Sequence, residues 1–401
     1  MSEKLGDGLM LKATQQQTKQ HNQRLILRTI FGQDAISRAN IARATGLTRT
    51  TVSQIVAELL EEGLVEEIGR GPSAGGKRPI LLSLVADSRT LIGIDLANSV
   101  FYGGVFNLRG EILHKINLPV NESQADDAIN LVYELIDQLI EASPNPIIGV
   151  GLGTPGVTDA RNGVVYEAVN LGWHNLPLQA LLRERYDVPI HIANDSQVAA
   201  LGEYLFGSHR ETTNLVVVKV GRGIGAGIVL NGELFIGERF GQGEIGHVVV
   251  AEDGPVCRCG LTGCLETVAS SRAVVQRLQQ YAMVQPAWPL AQLGHPISVD
   301  DVIDIYPASD PVVDAALREA GKYLGIAVAH LVAILNVQHV VLGGRMAHFG
   351  DTLVAAIKHE LGRRLLPKIA EDIEITISDL GENIVIQGGA ALLLSRELGL
   401  L

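Results

Sequence analysis

The apolar positions of this chain follow one pattern before about residue 86 and another after it. In the first part, HNQRLILRTIF (21–31) sets Leu25, Ile26 and Ile30 at helical spacing. The stretch AISRANIARATGLTRTTVSQIVAELLEEGLVEEIG then predicts a short helix through Ala44 capped by Ser37, a turn at Gly46, and a second helix capped by Thr48. Along that second helix Val52, Ile55, Val56, Leu59 and Leu60 make one apolar stripe. LVEEIG and PILLSLV read as two strands around the basic turn GRGPSAGGKR. Farther on, apolar strands alternate with helices. TLIGIDLA, VFYGGVFNL and GEILHKINLPV read as strands, DDAINLVYELIDQLIEA as an amphipathic helix, and PIIGVGLGTPG as a buried strand closing on a glycine turn. PIHIAND and NLVVVKVGRGIGAGIVLNGELFIG continue the series, and helices near 311–336 and 385–396 flank the strand VQHVVLGGRM. That alternation predicts an α/β body, with ligands expected at the glycine-rich strand ends.

Two helices joined by a short turn containing glycine match a helix-turn-helix, in which the start of the second helix meets base edges in the major groove. The candidates for DNA contact are Arg38 on the first helix and Thr48, Arg49, Thr50, Thr51, Ser53 and Gln54 on the second. No acid follows in that helix before Glu58. The hairpin after it reads as a wing that offers Arg70, Lys77 and Arg78 to phosphates or the minor groove. The plainer alternative is a small helical packing module followed by an ordinary linker.

Charge supports the first reading. Through Ile80 there are 11 Lys and Arg against 8 Asp and Glu, and after it 21 against 36, so a net of +3 precedes a net of −15. A basic head on an acidic body suits a polyanion partner for the head alone. At 401 residues, two or three domains are expected. No apolar run reaches the roughly 18 residues needed to span a bilayer, and the N-terminus has no signal-peptide core. The expectation is a cytoplasmic protein with no membrane partner.

All three cysteines fall in VCRCGLTGCLE (256–266). In a reducing compartment such a cluster is a metal site or a set of inert thiols rather than a disulfide framework. The C-x-C-x4-C spacing puts Cys257, Cys259 and Cys264 on one tight loop, with His247 ten residues upstream of the first. Three thiolates and an imidazole suit tetrahedral zinc with no open position, which makes a structural site.

The ordered motifs DLANS, GLGTPGVTD, NLGWHNLPL, IANDSQVAALGE, GRGIGAG, GEIGHV, CRCGLTGCLE and VVLGG resemble the ROK family of sugar kinases and sugar-responsive repressors. With a winged helix-turn-helix in front, the chain resembles the repressor branch, which includes xylose and N-acetylglucosamine repressors. The resemblance implies an actin-like body of two ribonuclease-H-like lobes with a sugar cleft between them, assembled as a homodimer or homotetramer. Domain limits on this reading are 1–85 for the head, 86–205 for the first lobe completed by a C-terminal helix 385–401, and 206–384 for the second lobe with the zinc loop. It points to the same four metal ligands, and to Asn170, Asn194, Asp195, Glu244, His247 and Glu266 as sugar-binding residues. Without it, Glu244 and Glu266 read as solvated loop acids and Asp195 as a helix cap. Trp173 reads as packing, with a stacking platform for sugar as the other option.

In the family's kinases the aspartate at position 195 is the general base, and two glycine loops cradle the nucleotide. Here the first of those loops, Asp95–Ser99, has side chains where the kinases have glycines, and the second has Arg222 where they commonly carry threonine. Phosphoryl transfer depends on positioning the phosphates, so a filled loop counts against it even with the base present. The expectation is therefore a non-enzyme with Asp195 as a vestigial base: a repressor whose operator affinity responds to a monosaccharide effector. A sugar kinase and a repressor titrated by a protein partner are the alternatives.

Overall fold

The computed structural model describes residues 14–72, 78–96, 99–121, 124–210, 212–306 and 310–400. They form two compact units, one of the chain up to Arg89 together with Leu394–Leu401, the other of Thr90–Leu393. Lys77, Ala97 and Asn98 lie outside the described residues.

The head begins with α1 (Gln15–Phe31), followed by β1 (Ile36–Ser37), α2 (Arg38–Thr45), α3 (Arg49–Glu61), β2 (Val65–Arg70) and β3 (Ile80–Leu84). Local sequence accounts for its boundaries. The Ser37 hydroxyl accepts from the Asn40 amide and starts α2, which stops at Gly46 in the left-handed region (φ 71°). The Thr48 hydroxyl accepts from the Thr51 amide and starts α3. Ile26 and Ile30 of α1, Ile41 of α2 and Val52, Val56 and Leu59 of α3 are buried together with Leu82 of β3. β3 lies between β1 and β2, both antiparallel to it, so the wing strands belong to a three-stranded sheet rather than a bare hairpin.

The body opens with β4 (Thr90–Asp95), β5 (Val100–Phe106), β6 (Ile112–Pro119), α4 (Asp126–Glu141) and β7 (Ile147–Thr154). A small antiparallel sheet of β8 (Val157–Asp159), β9 (Val164–Ala168) and β10 (Trp173–Leu176) follows, then α5 (Leu178–Arg185), β11 (Ile190–Asn194) and α6 (Asp195–Phe206). The second half runs through β12 (Leu215–Val220), β13 (Ile224–Leu230), β14 (Glu233–Leu234), α7 (Leu265–Ala269), α8 (Ser271–Val284) and α9 (Val299–Ile305). It ends with α10 (Pro311–Leu335), β15 (His339–Gly343), α11 (Gly350–Arg364), α12 (Pro367–Glu371), β16 (Glu374–Ile377) and α13 (Ile384–Leu398).

Two five-stranded sheets organise this body, ordered β11-β7-β4-β5-β6 and β14-β13-β12-β15-β16. Each has the same internal plan: three antiparallel strands in sequence, then two parallel strands added beside the first. The strand order is thus repeated, as expected of two ribonuclease-H-like lobes. α6 packs against both sheets, touching β7 and β11 of one and β12 and β13 of the other. Its approach to β13 is so close that a methyl on Gly227 would fall on the Ser196 carbonyl. The first turns of α13 cross β4 in the same way, with the Ile386 carbonyl where a Gly93 side chain would be. Among the described residues no helix is long and apolar enough to cross a membrane.

Candidate functional site

His247 closes a short 3-10 turn, Ile245–His247, and Cys264 precedes the first residue of α7. Between them the chain folds back on itself through bridges Val249–Cys264 and Val256–Thr262, which bring Cys257 and Cys259 to the same point. The ligand atoms of His247, Cys257, Cys259 and Cys264 all lie within 4.8 Å of one another. Sulfurs at about 2.3 Å from a tetrahedral zinc are roughly 3.8 Å apart, and here Cys259 Sγ lies 3.6 Å from Cys264 Sγ. His247 presents Nδ1 to the Cys257 sulfur at 3.5 Å, which leaves Nε2 for another partner. The residues fit the metal that the spacing predicts.

The same loop carries carboxylates. The Cys257 thiol donates to Glu266 Oε1 at 3.3 Å, and that oxygen is 4.0 Å from His247 Nδ1. Glu244 lies just before the histidine turn. Burial pushes its carboxyl up to about 7, and the charges of Asp195 and Glu266 push the same way. Glu244, Asp195 and Glu266 therefore share one electrostatic environment, although they come from separate motifs.

At the end of β11 the cap of α6 is Asn194, not the aspartate after it. Asn194 Oδ1 accepts from the Ser196 amide at 2.9 Å and its Nδ2 donates to the Gly156 carbonyl at 2.9 Å. Asp195 is freed from capping, and one of its oxygens is held at 2.8 Å by the Lys219 ammonium from β12. Burial disfavours that ammonium, but the charges of Asp195 and Asp95 outweigh it and raise its pKa. Asp95, at the end of β4, is pushed up to about 7 by burial, with Lys219 pulling down and Asp195 pushing up. Its Oδ1 is buried with no hydrogen-bond partner among the described residues.

Sequence reasoning missed Lys219. The available signal was a lone lysine inside the apolar run LVVVKV, on a strand covered on both faces. The other candidates divide. Asn170 sits in a turn between β9 and β10, and its Oδ1 accepts from the Arg258 guanidinium of the cysteine loop. Trp173 is buried and donates from Nε1 to the Ala125 carbonyl at 3.1 Å, so it packs and offers no face to a ligand.

In the head, Arg49, Thr50, Ser53 and Gln54 are exposed on one end of α3. Thr48 and Thr51 are engaged with each other, their hydroxyls 2.9 Å apart, in starting that helix. Arg38 is held by Glu67 of β2 at 2.9 Å, while Arg70 and Arg78 are exposed on the wing strand and beside the turn.

Comparison with known proteins places this arrangement. The model of the ROK family matches residues 91–396, and that of winged helix-turn-helix DNA-binding domains matches residues 19–66. This chain belongs to the ROK family. It is 32% identical to the xylose repressor of Caldicellulosiruptor bescii over 95% of this chain and 97% of that one. It is 33% identical to a glucokinase of Halalkalibacterium halodurans, but over only 77% of this chain and 96% of the kinase. The crystal structure of a ROK family transcriptional regulator, a homologue of the Escherichia coli Mlc protein, aligns with a TM-score of 0.83 and 25% identity, covering 96% of this chain and 98% of that one. The kinase match stops short of full length, whereas the two regulators span nearly the whole chain.

The displaced Asp95 carboxyl has a measurable consequence. Its folded pKa is raised to about 7 from an ordinary 3.8, so its ionisation opposes folding increasingly as pH rises between those values. Asp95→Asn should therefore unfold at a higher temperature than wild type at pH ~8, with the difference fading near pH ~4. Thermal unfolding at the two pH values checks this, and equal stabilities at the higher pH would contradict it.

Proposed function

We propose that this protein is a sugar-responsive transcriptional repressor that does not transfer phosphate. The observation that carries the reading is a winged helix-turn-helix head on the same chain as a complete ROK body, the layout of the regulators rather than of the kinase. In the head, Arg49, Thr50, Ser53 and Gln54 read base edges, with Arg38, Thr48 and Thr51 supporting the helix start. Arg70, Lys77 and Arg78 meet the phosphate backbone. A homodimer or homotetramer presents two heads to half-sites spaced by about one helical turn, roughly 34–36 Å. The protein works in the cytoplasm.

In the body, Asn170, Asn194, Asp195, Glu244, His247 and Glu266 bind the monosaccharide. Carboxylates and an oriented imidazole suit neighbouring sugar hydroxyls because each offers well-directed hydrogen bonds. His247, Cys257, Cys259 and Cys264 hold a structural zinc ion, whose part is to fix the loop and the tautomer of His247. The Lys219 ion pair on Asp195 speaks against kinase chemistry, since a base must be free to take the sugar proton. Sugar alters operator affinity because it binds one arrangement of the body better than another; equal affinity for both would move nothing.

The deciding experiment is fluorescence anisotropy on labelled DNA from upstream of the protein's own gene, with and without a panel of monosaccharides. Specific binding shifted at least about tenfold by one sugar is expected, a change of ~1.4 kcal/mol. Binding unmoved by every sugar, or ATP consumed with one of them, would overturn the reading. For the metal, Cys264→Ser should lose zinc and unfold at lower temperature than wild type. Wild-type protein purified without zinc, or a variant equal to it in both respects, would remove the clamp.

A further inference from the structure

Helix α1 begins well before it has a core to pack against. Its buried side chains are Ile26, Leu27 and Ile30, whereas every residue from Thr14 to His21 is exposed. A helical stretch that is polar all round either carries ion pairs along its surface or bridges to something outside its own core. Ion pairs within α1 are ruled out by composition: from Thr14 to Gln33 the sequence holds Lys19, Arg24 and Arg28 and no acid. The start of the helix is nevertheless well fixed. The Thr14 hydroxyl accepts from the Gln17 amide at 3.2 Å, and the Gln17 carboxamide oxygen accepts from the Thr14 amide at 2.8 Å. Residues 14–18 also lie ahead of the stretch 19–66 that matches winged helix-turn-helix domains, so the match does not account for them.

These turns stand beside the recognition helix. An open groove of about 790 Å³ runs between Gln15, Gln16, Lys19 and Asn22 on α1 and Thr51 and Gln54 on α3, and no acid lines it. Farther along α3, Glu58 is held by the Lys19 ammonium at 2.8 Å, so the nearest carboxylate of that helix is neutralised from α1. From Gln15 to Gln23 the side chains are otherwise carboxamides, one hydroxyl and one imidazole. With its side chains an α-helix is roughly 10–12 Å across, and the major groove is about 12 Å wide. A recognition helix therefore fills the groove, and an element lying alongside it meets the sugar–phosphate ridge at the groove edge.

We propose that the first two turns of α1 are a further DNA-binding element, in which Gln15, Gln16, Lys19 and Asn22 clasp the phosphodiester backbone beside the bases that α3 reads. This rests on the reading of the head as a DNA-binding domain and adds to it a surface outside the helix-turn-helix and the wing. Carboxamide, hydroxyl and ammonium side chains are common donors to phosphate oxygens, and such contacts fix register without carrying sequence. Lys19 has a second part as a positioning residue, since an unpaired Glu58 carboxylate at the groove would repel the same phosphates.

The test is the full-length double variant Gln15→Glu with Gln16→Glu. Acids in the first turn suit the helix dipole, so this variant should unfold at or above the wild-type temperature. By fluorescence anisotropy on labelled DNA from upstream of the protein's own gene, it should bind about tenfold more weakly than wild type. The loss should be the same on duplexes with altered operator sequence, because phosphates carry none, and it should narrow as salt is raised. Gln15→Lys with Gln16→Lys should move affinity the other way. Wild-type affinity in both variants would overturn the proposal and leave the helix-turn-helix reading in place. A loss confined to some sequences would assign these residues to base reading instead, and a loss that follows a lower unfolding temperature would make them merely structural. A changed oligomeric state at unchanged stability would give the surface to a second copy of the chain. Wild type that binds none of the duplexes would bring down the DNA-binding reading together with this inference.

Discussion

One helix serves both sheets of the body, and the site is built around its first residue. In α6, 10 of 12 residues are buried. It is capped by Asn194 from β11, and its second residue lies against β13 with no room for a side chain at Gly227. At its start Asp195 is tied to Lys219 of β12, so a single ion pair links the helix to an end of the second sheet. Both partners are largely buried. Removing one member of such a pair leaves an uncompensated charge and costs about 3–5 kcal/mol. A ligand that exchanges hydrogen bonds with Asp195 would therefore act where helix and sheet are joined.

The cysteine loop supplies the other wall of the site. His247 turns Nδ1 to the cysteines, and Glu266 follows the last of them by two residues, so ligation of one group orients the other. The concentration of acids there is costly. Glu244 and Asp95 both sit with raised pKa values because burial and neighbouring carboxylates disfavour their charge. Perturbed groups of this kind cluster where a protein binds or reacts rather than where it merely packs. Lys219 is the ammonium that makes the carboxylate cluster tolerable, and it holds one oxygen of Asp195.

Some of this was legible in the sequence because it is local. Ser37, Gly46 and Thr48 announce the ends of α2 and α3 through caps that depend on a few adjacent residues, and the cysteine spacing announces a metal site in the same way. The repeated strand order was not legible in strand periodicity, since pairing β12 with β15 joins segments more than a hundred residues apart; only the family resemblance supplied it. The third strand of the head, β1, is two residues long and leaves no periodic signal. At the site, Asp195 was readable as a cap or as a ligand, and the cap fell on Asn194 because its carboxamide reaches the Ser196 amide. Lys219 was hidden inside an apolar strand, and its role emerged only from which carboxylates the fold brings to it.

The claim at the centre of this account is the proposal that operator affinity answers to a monosaccharide held by the carboxylates beside the cysteine loop. The most direct measurement is operator affinity of Glu266→Ala with and without the effector that shifts wild type. The account predicts wild-type affinity for operator in the absence of sugar and no shift when sugar is added. A full wild-type shift in the variant would contradict it.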